Sequence, residues 1–225
     1  MKFENRKSHY SKKGMYSGYD KNHKERAALD YYATPIEEVE NILSIMNLNL
    51  DHTTILEPCY GGGHMVRGIS NYCSKYDSKL WKLYATDIQN RKSILRDADY
   101  KAGIDYDFLS DNYPYCHDID YIIMNPPYSV IEPFVMKALG IAEKGVLMLG
   151  RLQLLEGQGR YENIFKDYPP TRVYIYVDRI NCYKNGDFSI KQSSAQAYAW
   201  FYWDLETFNK ETKVYWIRRV DKKEN

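Results

Sequence analysis

The sequence predicts a doubly wound α/β domain built on a mostly parallel, seven-stranded sheet. Three observations carry that expectation. From Leu29 onward, segments of helical periodicity alternate with short runs rich in β-branched and aromatic residues. A glycine-rich turn, Gly61-Gly62-Gly63, separates the first such run from a helical pattern. An apolar run over 119–124 then ends abruptly at Asn125-Pro126-Pro127, where two prolines forbid further pairing and force a rigid turn.

The elements follow in order. Residues 1–26 show little apolar periodicity and read as an arm, ahead of a domain over 27–225. The arm carries Lys2, Arg6, Lys7, Lys12, Lys13, Lys21, Lys24 and Arg26 against Glu4, Asp20 and Glu25, a balance of +5 in a chain whose net charge is +1. A basic arm on a near-neutral body suits a grip on phosphates, and equally a solvated terminus. A helix is expected from Thr34, with Thr34 as N-cap, Pro35 at the first helical position and Glu37 closing a capping box. Ile36, Val39, Leu43 and Met46 then share one face. Strands are expected near 53–56, 80–86, 104–106, 119–124, 146–149, 172–177 and 197–203, with 213–218 a candidate for one more. Helices are expected from His64 and over 131–142.

At 225 residues the chain is long enough to bury a core, and no run is pure enough to cross a membrane. Lys and Arg persist through the first 26 residues, which does not fit a signal peptide, so a cytoplasmic location is expected. Four widely spaced cysteines with no C-x-x-C pair argue against a zinc knuckle and a disulfide framework, and no metal is expected.

Glu57-Pro58-Cys59-Tyr60-Gly61-Gly62-Gly63 lies between a strand and a helix, where glycines permit a tight turn and close approach of a ligand. It is neither G-x-G-x-x-G nor a phosphate-cradling loop, and an acid at Glu57 suits a cationic ligand instead. Asp87, followed by Ile88, ends the next strand, where an acid can accept both ribose hydroxyls of a nucleoside; a helix-capping aspartate is the plainer reading. Asp107-Phe108 could read an adenine ring, or be a turn aspartate and a core phenylalanine.

Asn125-Pro126-Pro127-Tyr128 is the strongest signal, a string expected by chance in about one in a thousand chains of this length. An amine conjugated to a ring is a poor nucleophile because its lone pair is delocalised. The Asn125 side-chain carbonyl and the Pro126 backbone carbonyl can accept its two hydrogens, localising the lone pair, and the prolines fix those directions in advance. Tyr128 can stack on the ring of a nucleotide turned out of its duplex.

With these motifs the sequence resembles the S-adenosylmethionine (SAM)-dependent amino-methyltransferases, and among them the DNA N6-adenine enzymes with the gamma order of motifs. The resemblance runs from Tyr31 to Trp203. It implies a Rossmann-like class I methyltransferase fold, SAM as cofactor with S-adenosylhomocysteine as product, and DNA as partner, with RNA the alternative. Tyr32-Ala33-Thr34-Pro35 is similar to the family's N-terminal cofactor motif. Glu57 to Gly63, including Cys59, Gly61 and Gly63, resembles its glycine loop. Asp87 and Ile88 correspond to its ribose site, and Asp107-Phe108 to its adenine-reading pair. Asn125, Pro126, Pro127 and Tyr128 match the catalytic motif. Leu154-Leu155-Glu156-Gly157 with Arg160, and the run from Tyr198 to Trp203, are similar to segments of small phage and prophage methyltransferases. An aromatic about ten positions before that last run stacks on the flipped base in gamma enzymes. Phe188 falls there, with Tyr183 in reserve. Few residues follow Trp203, so specificity is expected from loops over 151–170 and 178–195, from the arm or from a second subunit, in a monomer or homodimer. A protein glutamine methyltransferase shares the catalytic string but usually carries a helical domain that this chain lacks.

Overall fold

The computed structural model describes residues 31–91, 93–95, 101–104, 106–189 and 196–220. The basic arm lies outside them. Ten strands are described: β1 (Tyr32–Ala33), β2 (Thr54–Glu57), β3 (Lys82–Asp87), β4 (Lys101–Ile104), β5 (Tyr121–Met124), β6 (Gly145–Arg151), β7 (Arg172–Tyr176), β8 (Tyr183–Lys184), β9 (Tyr198–Asp204) and β10 (Lys213–Ile217). The main helices are α1 (Ile36–Met46), α2 (His64–Lys75) and α3 (Ile131–Ile141).

Eight strands form one sheet in the order β10-β7-β9-β6-β5-β2-β3-β4. All pairings are parallel except those of β9, which runs antiparallel to both β6 and β7. The expected seven strands are present, and the candidate run after them adds an eighth at the β7 edge. The fold is therefore the doubly wound, mostly parallel one that the sequence predicts.

Alternation along the strands puts apolar side chains into both faces. Ile55, Leu147 and Trp200 join Val39 and Ile69 in one core cluster. Leu56, Met148 and Trp203 join Phe134 and Val135 in the other. This two-sided burial explains why β5 and β6 read as continuous apolar runs. The strand order reverses between β2 and β5, because β2 leads through α2 to β3 and β5 through α3 to β6. A crevice at the carboxyl ends of such neighbours is where open α/β sheets bind ligands.

One local expectation is corrected, and one pairing was not foreseen. The N-cap of α1 is Pro35 and no side chain caps it. Thr34 is buried, and its hydroxyl instead accepts from Asn125 Nδ2 at 3.1 Å; a partner 91 residues away has displaced the local cap. The two-residue strands β1 and β8, too short for any periodic signal, pair antiparallel as a separate small sheet. No helix among the described residues is long and apolar enough to cross a membrane.

Candidate active site

A cleft opens at the switch point. From the β2–β4 side its wall is formed by Cys59, Asp87, Ile88, Asp107 and Phe108, and from the β5 side by Asn125 and Pro127, with Tyr32 closing it from β1. Residues separated by nearly a hundred positions thus converge on one cleft.

Asp87 ends β3 and is buried. Its Oδ2 accepts the Gly61 N–H at 2.9 Å and its Oδ1 the Gln89 N–H at 2.8 Å, so the carboxylate both shapes the glycine turn and faces the cleft. Burial raises its pKa against the pull of those donors. Behind it Glu57 is 2% exposed, and its Oε2 has no hydrogen-bond partner. Burial, and then the neighbouring Asp87, push the Glu57 carboxyl well above the usual range. A buried acid with an open lone pair beside a second acid is a standing demand for a proton or a cation. Cys59 is held as a thiol by burial and by those same two carboxylates, which argues against a nucleophilic role.

The glycine turn is as tight as expected, with Gly61 at φ +55° and Gly63 at φ +88°, where Gly63 begins α2. The close approach it permits differs from the expectation. A Cβ at Gly61 would overlap the Tyr31 ring, and one at Gly63 would overlap Leu95. The glycines thus make room for the protein's own side chains. The Tyr31 hydroxyl accepts the Gly62 N–H at 2.8 Å, and the Arg91 guanidinium lies 4.7 Å from the centre of the Tyr31 ring.

Asp107 is a turn aspartate, its Oδ1 accepting the Leu109 N–H at 2.9 Å, and it also lines the cleft. Phe108 is buried against Phe134 at 4.9 Å and Tyr113 at 5.2 Å while reaching the cleft wall. The Lys137 ammonium supports this loop from behind, donating to Ser110 O at 2.7 Å.

Asn125 follows the last residue of β5. Its Nδ2 donates to Tyr32 O at 2.9 Å and to Thr34 Oγ1 at 3.1 Å. With both amide hydrogens committed to the β1 segment, Oδ1 is the group left to act in the cleft. The Pro127 carbonyl accepts the Val130 N–H at 3.1 Å; Pro126 O is not so taken among the described residues. Tyr128 begins a short turn of 3-10 helix, with the Arg151 guanidinium 4.4 Å from its ring centre.

Thr34, Pro35, Glu57, Gly61, Gly63, Pro126, Tyr128 and Phe188 are not among the residues that line the cleft. Phe188 stacks on His64 at 4.8 Å and on Tyr183 at 4.2 Å, so both aromatic candidates belong to one stack above α2. Sequence reasoning missed Tyr31, Arg91 and Tyr106, which line the cleft. The Tyr31-Tyr32 doublet beside the Thr-Pro motif was the available signal for the first. Nothing local marked the others.

Among solved structures, the chain resembles the methyltransferase subunit of a type I restriction-modification system from Streptococcus thermophilus. The TM-score is 0.61 at 12% identity, over 84% of this chain and 47% of that one. The fold is that of the class I methyltransferases. A candidate class I SAM-dependent methyltransferase from Listeria monocytogenes matches with a TM-score of 0.61 at 13% identity, over 96% of this chain and 74% of that one. A candidate RNA methyltransferase from Pyrococcus horikoshii matches at 0.56 and 15% identity, over 78% and 88% of the two chains. The chain spans about half the length of the type I subunits it matches. In sequence, no family model and no curated protein matches it.

Proposed function

We propose that the chain transfers a methyl group from SAM to an exocyclic amino nitrogen, N6 of adenine in DNA. The observation that carries this reading is the oriented Asn125 amide. Its two donors are fixed on Tyr32 and Thr34, which leaves its carbonyl oxygen to accept at the carboxyl end of β5, where Asn125 lines the cleft.

The cleft fits the cofactor on its own chemistry. The partnerless Glu57 Oε2 and the neighbouring Asp87 suit a ligand that carries cationic groups and a ribose. Tyr32, Cys59, Asp87, Ile88, Asp107 and Phe108 would hold it, with Thr34, Pro35, Gly61 and Gly63 shaping the wall behind. When bound, SAM supplies a methyl group activated by its sulfonium. The chain's own part is to position the amine: Asn125 Oδ1 and Pro126 O accept its two N–H hydrogens and turn the lone pair toward the cofactor side. No strong base is needed, because the proton leaves after the nitrogen has become cationic. Tyr128 would stack on the adenine, and Phe188 would have to leave His64 to do so.

Incubation with labelled SAM and unmethylated duplex DNA, then digestion to nucleosides, tests the proposal. N6-methyladenine is expected, and its absence across varied DNA sequences would refute it. Transfer to ribosomal RNA in preference to DNA would select the RNA reading instead.

A further inference from the structure

The segment that leaves β6 is not used by the chemistry proposed above, yet it starts against the catalytic motif through Arg151 and Tyr128. It is pinned at several points. The Leu152 N–H donates to Ala197 O at 2.8 Å, and Leu154 is fully buried. Arg160 then folds back, donating from Nε to Glu156 O at 2.6 Å and from Nη2 to Gln153 O at 3.4 Å. Gly157 sits at φ +118°, with the Arg160 guanidinium where a side chain would be. Leu155 stands between these fixed points, 44% exposed.

One exposed leucine is ordinary on a protein surface. This one differs because the backbone on both sides is tied down, so the side chain is held outward with little left to order on binding. We propose that Leu155 is a wedge that enters the base stack of a duplex beside Tyr128 and fills the space of the extruded nucleotide. The proposal rests on the nucleic-acid reading above and deepens it, naming double-stranded nucleic acid as the substrate. Extrusion costs stacking and pairing, and an inserted apolar side chain offsets more of that cost the less it has to be ordered on binding. The Arg160 bonds provide that order in advance.

The test uses two duplexes of one sequence, with the target adenine either paired or opposite an abasic site. Leu155→Ala is expected to lower kcat/KM about tenfold on the paired target and less than about twofold on the unpaired one. Arg160→Met loosens the loop while keeping the leucine, and is expected to show the same pattern more weakly. Extrusion is read independently of methyl transfer, as the fluorescence gain of a duplex carrying 2-aminopurine in place of adenine, with S-adenosylhomocysteine present. Equal losses on both duplexes, no loss at all, or no fluorescence gain with the unaltered protein would overturn the wedge. A gain that Leu155→Ala abolishes, without methylation of any adenine, keeps the wedge and overturns the N6 reading.

Discussion

On the β2–β3 side of the crevice stand two buried carboxylates, Asp87 in the cleft wall and Glu57 outside its lining, whose pKa values burial raises. On the β5–β6 side stand neutral carbonyls, held by the Asn125 amide bonds and the proline turn. The first side stores an electrostatic debt that a cationic ligand relieves. The second presents uncharged acceptors, with the Arg151 guanidinium against the Tyr128 ring, and spends its structure on direction. Binding and chemistry are thus separable here, and substitutions on the two sides should fail differently.

The largest effect is expected at Asn125. Asn125→Ala removes an acceptor that matters most as the amine becomes tetrahedral, so kcat should fall about 100- to 1,000-fold. Cofactor affinity, read by calorimetry, should change only a few-fold. A matching loss of SAM affinity would break the division between the sides. Asp87→Ala should do the reverse. Loss of a charge-assisted contact of about 1.5–3 kcal/mol corresponds to roughly 10- to 100-fold weaker SAM binding. Turnover at saturating cofactor should be affected far less.

The two sides also differed in how far they could be read from sequence. Asn125 to Tyr128 was legible because its meaning is local: an apolar strand, a proline stop and an acceptor share four consecutive residues. Glu57 and Asp87 were legible as strand-end acids, but their strain was not, since it arises from burial by distant residues. Thr34 shows the limit most clearly. Its neighbours spell a capping box, yet the hydroxyl serves Asn125 across the fold. The strands themselves were readable because burial on both faces leaves short apolar runs rich in β-branched and aromatic residues. The pairing of β1 with β8 was not, for two residues carry no period.

A smaller effect should separate the glycine turn from its partner. Gly61→Ala forces a side chain into φ +55° and against the Tyr31 ring. It should destabilise the fold by about 1–3 kcal/mol, read as a lowered Tm. Tyr31→Ala in the same chain should recover the part due to overlap and leave the part due to backbone strain. Full additivity of the two substitutions would show that Tyr31 does not occupy the turn in solution.

The smallest expected effect concerns the carboxylates without ligand. A carboxyl whose pKa is raised by folding binds more protons in the native state than in the unfolded one. Its contribution is fully present at low pH and is lost as pH rises from the ordinary value of 4.5 through the folded pKa. Glu57 therefore makes the ligand-free protein less stable on the alkaline side, by up to about 1.4 kcal/mol per pH unit while it titrates. Glu57→Gln keeps the shape and removes the charge, so Tm against pH should flatten and the ligand-free protein should gain stability at neutral pH. The same substitution should weaken SAM binding and abolish the proton release that accompanies it, measured by calorimetry in buffers of different ionisation enthalpy. An unchanged pH slope would mean that Glu57 is already ionised in the free protein. The β2–β3 side would then carry no stored penalty for a cation to relieve.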